Sequence, residues 1–398
     1  MKFTCPTDFL CNAQWLKPLV MPVQRNVVLT SFSQQFVGFG SCFAQNLKGQ
    51  LERFQFDFYW NRDICAHYAT DSLLQTLRRA SGEEEHLDEE FVHVNGNPED
   101  IVLINYFKVR YFGPNAKNMA LCTRKILDDE LIDKIKEGDI FVVTLGNSRI
   151  FTPKGGNTVA CNIYGIQASE CNIRQQTVDD VEMGLNEILD VLIKIRGGRS
   201  LKLFVSISPQ RYFYDTSMLD VSSLENNCIM KSTLRVAVDS FCRSRKHDGV
   251  IYFPAYEMVV DELRLYETLS GYDHMHINQE FTPPYVVKRF LNNHASDDVL
   301  KNLPVIEGFP DLAQETVLDL SRGSCGKNPA ITAAWMGYFE RLLDASEYIV
   351  PKKIWMAALD ALGKLDLLDE LKELCRNRIL SRAVEEVINE WAHKVQGN

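Results

Sequence analysis

The sequence predicts an α/β protein, a doubly wound parallel sheet with a C-terminal helical extension, and three observations carry that prediction. Short apolar runs alternate with helical patterns from about residue 36 to residue 253. One of them, Asp139 to Leu145 (DIFVVTL), is nearly continuous in apolar residues after Gly138, as in a strand buried on both faces. After about residue 295 the strand signals stop and helical stripes replace them. The 398 residues, 45% of them hydrophobic, leave room for one large domain and a smaller one, and we place these at 1–294 and 295–398.

Phe36 to Gly40 reads as the first strand, and Cys42 to Phe54 as a helix burying Leu47, Leu51 and Phe54. Residues 81–100 carry Glu83-Glu84-Glu85 and Gly96-Asn97-Pro98, the composition of a solvated acidic insertion. Thr177 with Asp180 is a capping box, opening a helix through Val181, Leu185, Ile188, Leu189 and Leu192 that Gly197 ends. Leu201 to Ile207 is the next strand, followed by a long polar loop, a helix around Lys231 to Phe241 and a strand from Val250 to Phe253. In the extension, Leu367, Leu368, Leu371 and Leu374 form one helical stripe, and Val384, Val387, Ile388 and Trp391 another. They predict antiparallel helices, which also offer a surface for oligomerisation or docking.

A net charge of −10 and the lack of a basic stripe exclude nucleic acid as the expected partner. No apolar run nears the ~20 residues of a spanning helix, and the first 20 residues lack the apolar core and cleavage pattern of a secretory signal. Eleven irregularly spaced cysteines without a CxxC pair fit reduced thiols, so a cytoplasmic location is expected. The eight histidines do not fall at metal-ligand spacing, so no metal site is expected.

Chemistry concentrates at two places. Gly38-Phe39-Gly40-Ser41-Cys42 puts a hydroxyl at the carboxyl end of the first strand, where open α/β sheets bind ligands, with a helix N-terminus behind it for a developing oxyanion. Near the end of the α/β region, Gly271-Tyr272-Asp273-His274-Met275-His276 places an Asp and a His three residues apart, so that the carboxylate can orient the imidazole. The plain readings are a helix N-cap and a surface loop with two solvated histidines.

The residues Gly40-Ser41-Cys42-Phe43-Ala44 resemble the signature of the GSCFA family, related to SGNH/GDSL hydrolases. Asn46, Leu51 and Thr144-Leu145-Gly146 are similar as well. So are Ser208-Pro209-Gln210-Arg211 with Asp215, and Asn227, Lys231 and Leu234 after them. Phe253-Pro254-Ala255-Tyr256-Glu257, Asp261-Glu262-Leu263-Arg264 and the Asp273–His276 pair extend the likeness over roughly residues 35 to 290. The resemblance implies an SGNH/flavodoxin-like fold with Ser41 as nucleophile and oxyanion N–H donor, His276 as general base and Asp273 as its orienter. It implies acyl transfer to water or a sugar hydroxyl on an acylated small molecule or glycan, without a cofactor, acyl-CoA being the candidate donor.

The chain departs from the family pattern in three places. Asn61-Arg62-Asp63-Ile64 stands where the family has an N-P-x-G segment, and no glycine occurs between Gly49 and Gly82. Asn147-Ser148-Arg149 follows Gly146 where the family has Thr, which makes Asn147 the candidate side-chain oxyanion donor. Cys161-Asn162-Ile163-Tyr164 replaces N-C-H-K and leaves Asn162 as a second candidate. Cys42, beside Ser41 at the helix N-terminus, is the alternative nucleophile, and His274 the alternative base. Arg149 and Arg211 either hold an anionic substrate group or pair with Asp215 or Asp261. Glu257, Asp261 and Arg264 read as structural contacts, and Cys65 with His67 as no site. The rival to an enzyme is a degenerate relative that binds a glycan or a protein without turnover.

Overall fold

In the computed structural model the strands follow one another as β1 (Gln35–Gly40), β2 (Asp57–Tyr59), β3 (Phe91–His93), β4 (Asp100–Leu103) and β5 (Arg110–Phe112), then β6 (Ile140–Leu145), β7 (Arg149–Pro153), β8 (Cys171–Gln175), β9 (Lys202–Ile207) and β10 (Val250–Tyr252). The structure describes residues 25–107, 109–161, 168–212, 222–264, 268–270, 275–304, 306, 329–344, 352–365, 367–376 and 382–396. The helices are α1 (Cys42–Arg53), α2 (Thr70–Ala80), α3 (Ala116–Glu137), α4 (Val178–Ile195), α5 (Ser223–Ser244) and α6 (Thr282–His294), then α7 (Pro329–Asp344), α8 (Lys352–Lys364), α9 (Leu368–Arg376) and α10 (Arg382–Gln396).

Five strands make the central sheet in the order β10-β9-β6-β1-β2, with β1/β6, β6/β9 and β9/β10 parallel. All six residues of β6 are buried, which is why its sequence is apolar without alternation. The chain starts in the middle of the sheet, steps outward to β2, then returns across β1 to β6, β9 and β10. This is the doubly wound flavodoxin-like order, and its winding reverses between β1 and β6. Loops leaving the carboxyl ends of those two strands diverge there and open a crevice.

The caps follow local sequence. Thr177 Oγ1 accepts from the Asp180 N–H at 3.1 Å while Asp180 Oδ2 accepts from the Thr177 N–H at 2.8 Å, so α4 begins where the capping box predicts. Helix α5 begins eight residues before Lys231, at Ser223, through a second capping box of Ser222 and Glu225. Its first turns are too polar to show an apolar stripe, which hides them from periodicity.

The expected solvated insertion is corrected in part: residues 82–88 are mostly exposed, but the chain after them enters a second sheet. Strands β3, β4 and β5 form an antiparallel sheet out of residues 91–112, and β7 pairs with β8. Between them lies a small core of Val94, Val102, Ile104, Phe151, Ala160 and Cys171. The Glu90 carboxylate is fully buried. Arg79 Nη1 lies 2.8 Å from it and Arg124 Nη1 3.0 Å, and the Leu87 N–H donates to it at 2.9 Å. Charge supplied from α2 and α3 takes Glu90 into the interior, while Glu83, Glu85 and Asp88 stay exposed.

The chain divides into two compact units. The first comprises Gln35–Gln50 and Phe58–Arg289; the second comprises Leu51–Asp57, the described residues before Gln35 and those after Arg289. In the second, the chain ahead of β1 is tied to the end of α6 by hydrogen bonds from Val28 and Leu29 N–H to the His294 carbonyl, at 2.8 and 2.9 Å. Its helices bury Trp335, Phe339, Trp355, Leu359, Leu371 and Trp391. Trp391 Nε1 donates to Asp360 at 2.7 Å, so the two helices α8 and α10 are pinned by a polar bond inside an apolar contact. Among the described residues no helix is long and apolar enough to cross a membrane.

Candidate active site

Strand β1 ends on Gly40, whose φ of +121° suits only glycine and whose Cβ, if it had one, would strike the Thr144 carbonyl. The next residue, Ser41, therefore leaves the sheet at the β1/β6 reversal. Its N–H donates to the Thr144 carbonyl at 3.2 Å, and its Oγ accepts from the Phe43 N–H at 3.3 Å, capping α1. The oxyanion donor expected from Ser41 is thus engaged in the sheet. The Cys42 N–H, the next along, makes no hydrogen bond among the described residues.

Strand β6 exits through Gly146 and Asn147, whose N–H groups both donate to the Tyr68 carbonyl, at 2.8 and 3.0 Å. A Cβ on Gly146 would lie 2.8 Å from the Tyr68 ring and 3.4 Å from Ser41 Cβ, so glycine here lets the ring approach the serine. Asn147 is buried, and its Oδ1 accepts from the Arg149 N–H at 3.1 Å. That orientation leaves its amide nitrogen without an acceptor among the described residues. Strand β9 exits through Ser208, held by its N–H to the Leu145 carbonyl at 2.8 Å.

Beneath both exits lies Lys231 of α5, 2% exposed. Its Nζ donates at 2.7 Å to the Gly146 carbonyl and at 2.7 Å to the Ser208 carbonyl, and burial lowers its pKa to about 7.

His276 stands on a hairpin. The Ser270 N–H donates to the His276 carbonyl at 2.7 Å, the Asn278 N–H to the Thr268 carbonyl at 2.8 Å, and Leu269 bridges Ile277. The Arg211 N–H donates to the Met275 carbonyl at 3.2 Å and ties this hairpin to the chain after β9.

These exits converge on one cavity of about 90 Å³. Ser41, Cys42 and His276 line it with Tyr68, Tyr212 and Met275, and the strand ends contribute Gly146, Ser208, Gln210 and Arg211. Ser41 and His276 line the same cavity with no hydrogen bond between them. A larger cavity of about 570 Å³ is lined by Phe91, His93, Lys154, Ser169 and Glu170 among others, none of them a residue the sequence had singled out.

Of the sequence candidates, the cavity brings together Ser41, Cys42, His276 and Arg211, with Asn147 next to its Gly146 wall. Cys42 is half-buried, with Sγ 3.6 Å from the Tyr68 hydroxyl. Arg149 pairs with no carboxylate among the described residues; burial lowers its pKa, and its Nε has no acceptor. Asp261 lies 3.7 Å from Arg264, and Glu257 binds Arg235 at 2.5 Å, both structural contacts. Asp273, His274, Asn162 and Asp215 lie outside the described residues. Cys65 and His67 are buried, the thiol pushed up to about 12 and the imidazole held down to about 4 by desolvation. Asn61, in the altered segment, caps a short helix by accepting from the Asp63 N–H at 3.0 Å.

The GSCFA family model matches residues 35–290. The chain belongs to the GSCFA family. A search of curated proteins finds no match. The matched span runs from β1 into α6 and includes every residue lining the Ser41 cavity, while the helices from α7 onward lie outside it. Within this GSCFA chain, several signature residues support the site from behind. Asn227 accepts the Tyr212 N–H at 3.0 Å, Lys231 bridges two strand ends, and Leu234 is fully buried. Sequence reading had no purchase on Tyr68, which sits in no motif, and quoted Lys231 only for its spacing. The signal for Lys231 was a lone cation between Met230 and Leu234 on an apolar helix face.

Proposed function

We propose that the chain is a serine-dependent acyl ester hydrolase or O-acyltransferase acting on a carbohydrate-linked acyl group. The observation that carries this reading is the shared cavity of Ser41 and His276 at the reversal of the sheet. Ser41 Oγ attacks the acyl carbonyl while His276 takes its proton. The oxyanion is held by the Cys42 N–H, at the start of α1, and by the Asn147 amide. His276 then protonates the departing alcohol, or the thiol where acyl-CoA is the donor, and water or a sugar hydroxyl attacks the acyl-serine with His276 again as base. Asp273 orients His276. Arg211 at the cavity and Arg149 beyond it attract an anionic portion of the substrate, such as the phosphates of acyl-CoA.

Intact-mass analysis after fluorophosphonate treatment tests this reading. The wild type is expected to take one adduct, lost in Ser41→Ala and strongly slowed in His276→Ala. An adduct kept in Ser41→Ala but absent from Cys42→Ser moves the nucleophile to the thiol. A folded wild type that takes no adduct overturns the mechanism in favour of a binding module.

A further inference from the structure

We infer that the Ser41 cavity selects a short acyl group, two or three carbons long, and that Tyr68 is the wall that sets the limit; the inference rests on Ser41 being the nucleophile. An apolar cavity of ~150 Å³ seats a six-carbon ring. The Ser41 cavity, at about 90 Å³, is smaller than that. Scaled from that ring, it has room for about three or four non-hydrogen atoms, the size of an acetyl or propionyl group.

The walls that impose this size are held in place. The Tyr68 carbonyl receives two N–H groups from the end of β6, and its ring rests on Gly146, where even a methyl group would come within 2.8 Å of it. Its hydroxyl reaches the Cys42 thiol at 3.6 Å. Across the cavity, Tyr212 is 8% exposed and its N–H is held by Asn227, with the two tyrosine rings 6.1 Å apart and tilted by 55°. The cavity also has a direction. Ser41, Ser208 and Tyr212 are buried, whereas Arg211 and His276 are exposed and mark the mouth. An ester placed with its carbonyl at Ser41 then has its acyl chain against the tyrosines and its alcohol at His276, where that alcohol collects a proton.

Alkyl phosphonofluoridates report this selection at Ser41 without requiring turnover. The Ser41 oxygen forms a bond to phosphorus, fluoride leaves, and the serine proton passes to His276. Methylphosphonofluoridate is expected to label the wild type at least about 10-fold faster than the octyl reagent. Tyr68→Ala is expected to close that gap by speeding the octyl reagent, and Tyr68→Phe to keep it. Equal rates of labelling at Ser41 in the wild type overturn the size limit and leave the serine mechanism standing. A gap that survives Tyr68→Ala, with that variant folded, overturns the assignment to Tyr68. Failure of both reagents on folded wild type overturns the nucleophile reading and this inference with it.

Discussion

Glu90→Gln is expected to destabilise the protein by about 3–5 kcal/mol, because it removes one partner of a buried charge network and strands the other. The Glu90 carboxylate has no exposed surface, and the Arg79 side chain beside it is 3% exposed. Arg79 Nη1 is 2.8 Å away without hydrogen-bond alignment, so their attraction is chiefly that of two charges in a dry interior. Arg124 and His86 complete the cluster, and His86 reaches across to Asp128, which also takes the Tyr106 hydroxyl at 2.5 Å. Urea unfolding of the single variant should show the full loss. The double variant Arg79→Met/Glu90→Leu should recover part of it, since no charge is then left unpaired. A Glu90→Gln loss below about 1 kcal/mol would mean that the network is solvated.

The same cluster predicts how stability varies with pH. Burial opposes ionisation of Glu90, but the His86 and Leu87 hydrogen bonds and Arg79 outweigh it and hold its pKa below the ordinary 4.5. Its contribution is present above pH 4.5 and is lost as pH falls through the lower folded value. For His86, burial lowers the pKa, and the hydrogen bonds to Asp128 and Glu90 outweigh that and raise it above 6.5. Its contribution is complete below pH 6.5 and is lost as pH rises through the higher folded value.

How legible the molecule was depends on whether a feature is local. The continuous apolar run of β6 and the Thr177–Asp180 box are written into consecutive residues, and both stand where the sequence put them. The doubly wound sheet follows from their alternation. The insertion was misread at Glu90, which ends an acidic run that is otherwise largely exposed. Its neutralising arginines come from α2 and α3, and no local pattern announces a long-range ion pair. At the site, Gly40-Ser41 was legible because a left-handed turn at a strand end demands glycine. The engagement of the Ser41 N–H by Thr144 was not, because it depends on the β1/β6 register. Tyr68 and Lys231 are likewise products of tertiary approach.

Lys231→Met is expected to separate from the wild type in a pH-dependent way that identifies what the amine does. Both partners of Lys231 are carbonyl oxygens, and burial alone brings its pKa from 10.5 to about 7. Between those values the unfolded chain binds a proton that the folded chain does not. Stability contributed by this site therefore rises with pH, by at most about 1.4 kcal/mol per unit. Methionine cannot titrate or donate, and it leaves the Gly146 and Ser208 carbonyls unpartnered at about 1–3 kcal/mol each. Urea midpoints of the two proteins should lie closest near pH 6, where the wild type must bury a charge, and furthest apart near pH 9, where its neutral amine still bridges the two strand ends. The same substitution frees the carbonyls of two cavity residues, so fluorophosphonate labelling of Ser41 should slow in folded Lys231→Met. A stability gap that does not change between pH 6 and 9 would show that Lys231 stays charged in the fold. The floor of the cavity would then be wetter than these distances allow.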